Sequence, residues 1–167
     1  MADVTAAIDY VLSFEDAGLV GVVTTDSGGG RTRFGIAENF HPWISQIGFY
    51  TTMSKDEALG GALVLYVSEY CLPLQIAAIT NQNLANKLLS LGVNVGVAQV
   101  SLWLQEAVGA IPDGDIGPAT LAAVNKADPQ KALDALKAQA VLSYQQIAKD
   151  NPADEQYLAG WIARANA

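Results

Sequence analysis

Ile8, Val11, Leu12 and position 15 recur at the three- and four-residue spacing of one helical face, predicting a first helix over residues 4–16 with Gly18 as its stop. Residues 19–25 are rich in valine and threonine and predict a strand. The glycine-rich stretch 26–30 is a turn, after which residues 31–36 return as the second strand of a hairpin. Residues 37–52, with His41-Pro42 and scattered aromatics, have no period and read as irregular. Ser54 and Glu57 then stand at capping-box spacing before a helix with Ala58, Leu59, Ala62, Leu63, Tyr66 and Tyr70 on one side. Leu84, Leu88 and Leu91 mark a helix ending near Gly92, and Val97, Val100, Leu104 and Val108 a longer one ending at Gly109. Residues 113–117 form a turn, and Pro118 suits a first helical position. Asp128-Pro129 opens a helix with Leu133, Leu136, Ala140, Tyr144 and Ile147 inward, and Tyr157, Leu158, Trp161 and Ile162 mark the last one. The pattern predicts a mainly α fold, a helical bundle with one small N-terminal β-hairpin.

Composition narrows the chemistry. A chain of 167 residues that is 51% hydrophobic can bury one core, as a single domain or two lobes sharing it. The net charge of −8, with nine basic residues that do not cluster, disfavours nucleic-acid binding. No apolar run is long enough to span a bilayer, so stable membrane insertion is not expected. The start Met1-Ala2-Asp3-Val4 lacks the basic region of a signal peptide. Synthesis in the cytoplasm, with release or secretion by another route, is the expectation. Cys71 is the only cysteine and His41 the only histidine. No intramolecular disulfide can form, and a His-ligated metal site or a Ser-His or Cys-His nucleophile is disfavoured. Chemistry in such a chain rests on carboxylates, with no metal or organic cofactor implied.

Glu15 is the carboxylate that stands out. It continues the apolar stripe of the first helix where that helix ends. Burial there disfavours its charged form, the condition that suits a general acid. The competing reading is a frayed helix end with its carboxylate in water. Asp26 lies in the hairpin turn and Thr32 on the returning strand, so a hairpin folded over the helix end brings both towards Glu15. Asp before Ser-Gly is also ordinary turn chemistry. Gly28-Gly29-Gly30-Arg31-Thr32 lacks the Gly-Lys-Ser/Thr ending of a phosphate loop. Asp113-Gly114-Asp115 lacks the closing glutamate of a calcium loop and reads as a structural turn.

Taken together, Glu15, Asp26 and Gly28-Gly29-x-x-Thr32-x-x-Gly35-Ile36 resemble the catalytic signature of glycoside hydrolase family 108, bacterial and phage muramidases of the lysozyme superfamily. Met53-Ser54-Lys55-Asp56-Glu57-Ala58, Val93-Asn94-Val95-Gly96, Gln105 with the 113–120 turn, and Gly160-Trp161-Ile162-Ala163-Arg164 extend the resemblance over nearly the whole chain. One departure is Phe14-Glu15-Asp16-Ala17-Gly18, where that family has Glu-Gly-Gly after a histidine. The resemblance implies a lysozyme-like fold, with a catalytic half over residues 1–88 and a helical peptidoglycan-binding half over 89–167 packed as one globule. It implies hydrolysis of the β-1,4 bond between N-acetylmuramic acid and N-acetylglucosamine. Glu15 would be the general acid, and Asp26 with Thr32 would activate water; Asp16 is the alternative second carboxylate. Tyr66, Tyr70, Asn94 and Trp161 are the candidate substrate-binding residues, although Tyr66, Tyr70 and Trp161 also suit core packing. The partner is peptidoglycan glycan, met in the periplasm or cell wall, and a monomer is the default. A lytic transglycosylase and a non-catalytic wall-binding or structural protein are the alternatives.

Overall fold

The computed structural model describes residues 1–25 and 30–167. Helix α1 (Val4–Glu15) starts at Asp3, whose carboxylate accepts from the backbone N–H of Thr5 and Ala6. Two donors that every helix start leaves open are thereby satisfied. The buried face of α1 is Ala7, Ile8, Val11 and Leu12, the stripe that the spacing predicts. Helix α2 (Lys55–Leu65) opens with the expected reciprocal cap, Ser54 and Glu57 each bonding the other's backbone N–H. Helix α3 (Gln82–Val95) buries Leu84, Ala85, Leu88, Leu89 and Leu91 together with Lys87 and Ser90. A helix buried on nearly every side is the centre of its fold. It packs against α1, α4 (Val97–Val108) and α6 (Pro129–Asp150), and α7 (Glu155–Asn166) lies along α6. Helix α5 (Pro118–Lys126) contacts α4 and α6. The fold is mainly α with a small antiparallel sheet. Among the described residues no helix is long and apolar enough to cross a membrane.

Several local expectations are corrected. The strand expected over 19–25 shrinks to β1 (Thr24–Thr25). Leu19 and Gly21 take positive φ, and the Asp16 carboxylate accepts from the N–H groups of Val20 and Gly21 at 2.9 and 2.7 Å. Local turn chemistry there overrides β-branched propensity. The expected second strand splits into β2 (Arg31–Arg33) and β3 (Ile36–Ala37). Phe34 and Gly35 both have positive φ, 50° and 73°, the two-residue hairpin turn whose twist matches its strands. The sheet order is β1-β2-β3, with Thr24 opposite Thr32 and Arg33 opposite Ile36.

Within the stretch expected to be irregular, Pro42–Ile47 forms a 3-10 helix. Beyond α2 the chain does not continue as α-helix: Tyr66–Cys71 is one widened, π-helical turn. Gly92 does not stop α3, which runs on to Val95. A Cβ at Gly92 would lie 2.7 Å from the Leu74 side chain, so its smallness serves close packing. On α6 the buried stripe is Ala132, Leu136, Ala140, Tyr144 and Ala148, a strict four-residue spacing that leaves Ile147 exposed. The boundary expected between residues 88 and 89 falls inside α3.

The turn at 113–117 is organised by Gln105 of α4, which is fully buried. Its amide nitrogen lies 2.7 Å from Asp113 Oδ1 and 2.9 Å from the Asp115 carbonyl, and its oxygen accepts from Gly114 N–H at 2.8 Å. Asp113 Oδ1 also accepts from Asp115 N–H. That bond first, then the one from Gln105, holds the Asp113 carboxyl below its usual range.

Candidate active site

Glu15 is the last residue of α1. At Asp16 the backbone leaves helical geometry, with φ −153° and ψ 74°, so the Glu15 side chain projects from a helix end. The Phe34-Gly35 turn folds over it. A Cβ on Gly35 would lie 2.7 Å from Glu15 Cγ and 2.6 Å from the Tyr66 hydroxyl oxygen, and the φ of 73° already disfavours any side chain. Glycine alone meets both constraints. Tyr66, buried in the π turn, pins the turn by donating to the Phe34 carbonyl at 3.0 Å. Burial, then the nearby Glu15 charge, pushes its phenol well above the ordinary value, so it stays a neutral donor. Arg33, also buried, ties the sheet down by donating to the carbonyls of Gly21, Phe49 and Met53.

The opposite end of the chain reaches the same point. Arg164 of α7 donates from Nη1 to Glu15 Oε1 at 2.5 Å. Its Nε and Nη2 approach the hydroxyl and carbonyl of Ser90 at 3.4 Å, and its guanidinium lies 5.6 Å from the Phe14 ring centre. The backbone carbonyl of Arg164 accepts from Lys87 Nζ at 2.9 Å. Helix α7 is thus fastened to α3, and the guanidinium is aimed by that attachment.

Glu15 and Gly35 line two cavities. One, of about 460 Å³, runs between the β3 region, Phe40, His41 and Tyr70 on one wall and residues 92–96 at the end of α3 on the other. The second, of about 120 Å³, is bounded by Asp16, Val22, Thr24 and Thr32. A carboxyl group at the junction can reach a ligand in the larger space. The smaller space beside it is large enough for water.

The structure brings some predicted residues together and not others. Thr32 borders the smaller cavity, and Tyr70 and Asn94 line the larger. Asp26 lies outside the described residues. Asp16 touches the smaller cavity, but both of its carboxylate oxygens accept from backbone N–H groups of the following loop. Tyr66 is wholly buried and acts on the turn, not on the cleft. Trp161 packs between Tyr144 and Tyr157, ring centres 5.6 and 5.9 Å away, and does not border either cavity. Sequence reasoning missed the Glu15–Arg164 pair and the place of His41. Neither has a local signal, since each depends on contacts between distant segments.

Residues 99–166 match a family model described as a predicted peptidoglycan domain. No curated protein matches the chain. Among solved structures, the chain is similar to that titled "Structure of Brucella abortus SagA", with a TM-score of 0.72 and 23% identity over 97% of this chain and 88% of that one. That likeness supports the mainly α fold just described.

Proposed function

We propose that this chain is a peptidoglycan-cleaving glycosidase with Glu15 as its general acid. The observation that carries the reading is the position of Glu15 at the junction of two cavities, paired with an arginine from the segment that matches the predicted peptidoglycan domain. In this reading the glycan lies in the larger cavity, and Glu15 delivers a proton to the oxygen of the bond that breaks. Arg164 fixes the orientation of the carboxyl group and stabilises the carboxylate left once the proton has been given up. A water held beside Thr32 in the smaller cavity, activated by Asp26, completes hydrolysis between N-acetylmuramic acid and N-acetylglucosamine. Tyr70, Asn94 and the exposed ring of Phe40 supply contacts along the glycan. The enzyme works as a monomer on the cell wall.

One observation favours a second reading. Glu15 is the only carboxylate among the described residues lining the larger cavity. A lytic transglycosylase needs one carboxyl group and no attacking water, and it leaves a 1,6-anhydro end. Digestion of purified peptidoglycan by wild type and Glu15→Gln, followed by mass spectrometry, separates the cases. Reducing muropeptides from wild type and none from the variant support hydrolysis. Anhydro products support the transglycosylase. Intact glycan after treatment with folded wild type leaves a binding module.

A further inference from the structure

A chain of three polar side chains reaches the larger cavity, two of them, His41 and Tyr70, forming part of its wall. Glu69 and Tyr70 are neighbours in the π turn, and His41 precedes the 3-10 helix Pro42–Ile47. Glu69 Oε2 lies 3.0 Å from His41 Nδ1, and the Tyr70 hydroxyl lies 3.3 Å from His41 Nε2. The two rings meet edge to face, 6.3 Å between centres. His41 is buried, Tyr70 is half-buried, and both border the cavity. The widened turn matters here, because it sets the Glu69 carboxylate and the Tyr70 phenol on the same imidazole although the two residues are adjacent.

Donor and acceptor rules give this chain a direction. A carboxylate only accepts, so its contact with Glu69 puts a hydrogen on His41 Nδ1. With the ring in its neutral form, Nε2 is bare and accepts the Tyr70 O–H. Burial first, then the charges of Glu69 and Glu15, raise the Tyr70 phenol above its ordinary value, so it keeps that proton. With its proton committed to His41, Tyr70 offers the cavity an oxygen lone pair.

We propose that Tyr70 is an acceptor for a hydrogen-bond donor on the glycan, an O–H or N–H group of the sugar, and that His41 is the positioning residue that fixes this polarity. The proposal rests on the reading of the larger cavity as the glycan site and names the polarity of the contact made there. It makes Tyr70 a binding contact separate from Glu15, with Glu69 holding the tautomer.

The test measures apparent KM and kcat on solubilised peptidoglycan fragments for wild type, Tyr70→Phe, His41→Leu, His41→Gln and the Tyr70→Phe/His41→Leu double variant. Co-sedimentation with purified peptidoglycan runs in parallel. Tyr70→Phe keeps the ring and its packing, so it folds. Tyr70→Phe and His41→Leu should each raise KM about five- to tenfold, the size of one lost hydrogen bond, with the loss falling on KM more than on kcat. The double variant should be no worse than the worse single one, because both remove the same interaction. His41→Gln, whose side-chain oxygen can accept the phenol proton, should recover part of the loss. Multiplying losses, or an unchanged KM in Tyr70→Phe, would overturn the proposal while leaving the glycosidase reading intact. A wild type that binds without cleaving would remove the glycosidase reading. The same pattern in sedimentation affinities would then uphold the subsite, and equal affinities would sink it. Failure of the wild type both to cleave and to bind would overturn the two together.

Discussion

Glu15 and Arg164 are 149 positions apart in the chain, yet their side chains meet at 2.5 Å, each mostly shielded from solvent. The pair joins the end of the first helix to the last, beside α3, on which α1 packs and to which Arg164 is tied through Lys87 and Ser90. Any account of the site therefore involves both ends of the protein.

Breaking the pair should cost stability unevenly. Arg164→Ala removes the guanidinium that faces Glu15 and Ser90 and covers Phe14. It should lower the unfolding free energy by about 3 kcal/mol, seen in urea denaturation, because an uncompensated and partly buried carboxylate remains. Glu15→Gln keeps a hydrogen-bond acceptor at the same place and should cost clearly less. Equal losses in the two variants would contradict this account.

Gly35→Ala tests the turn above Glu15. A methyl group there meets Glu15 and Tyr66 at under 3 Å on a backbone with positive φ. Thermal unfolding should reveal a loss of about 2 kcal/mol or more, and the peptidoglycan cleavage proposed above should fall with it. A variant with wild-type cleavage would show that Glu15 does not need its present seat.

Gln105→Leu should destabilise the protein by about 2–3 kcal/mol, since the Gly114 N–H loses its acceptor and Asp113 and the Asp115 carbonyl lose a donor. Heat denaturation measures the loss. If the turn is held mainly by the backbone, the melting temperature will barely move.

Lys87 is 2% exposed, and burial lowers its ammonium to about 8, with the charges of Lys137 and Arg164 adding to the effect. Its folded value lies below the unfolded one, so unfolding takes up a proton between those values. Stability should therefore rise as pH increases from about 8 towards 10. Relative to Lys87→Met, the wild type should gain about 2 kcal/mol over that range in denaturant titrations. Parallel curves for the two proteins would count against a buried ammonium.

Acid should loosen the sheet. Glu38 accepts from Arg31, to which it is doubly bonded, and from the Ser45 hydroxyl. These bonds, that of Arg31 first, lower its carboxyl to about 2. The folded value lies below the unfolded one, so its stabilising effect is full above the ordinary carboxylate value and is lost as pH falls towards 2. Glu38→Gln should flatten that part of the acid-unfolding curve.

What the sequence determined by itself is what depends on neighbours three or four positions away. The apolar stripe of α1, the capping box at Ser54, the glycine stop after α4 and the proline start of α5 all act within one or two helical turns. They are written in local residue order, and the mainly α class follows from them. Glu15 was legible as a candidate for the same reason, as a carboxylate on an apolar stripe. The tertiary structure alone decided what Glu15 faces. Its partner Arg164, the Gly35 turn above it and the His41–Tyr70 wall come from segments whose meeting depends on how α1, α3 and α7 pack. The failed local readings share that cause. Gly92 looked like a stop but serves contact with Leu74, and residues 19–23 looked extended until the Asp16 carboxylate bound their backbone. Helix spacing is a property of the chain; packing distance is a property of the fold.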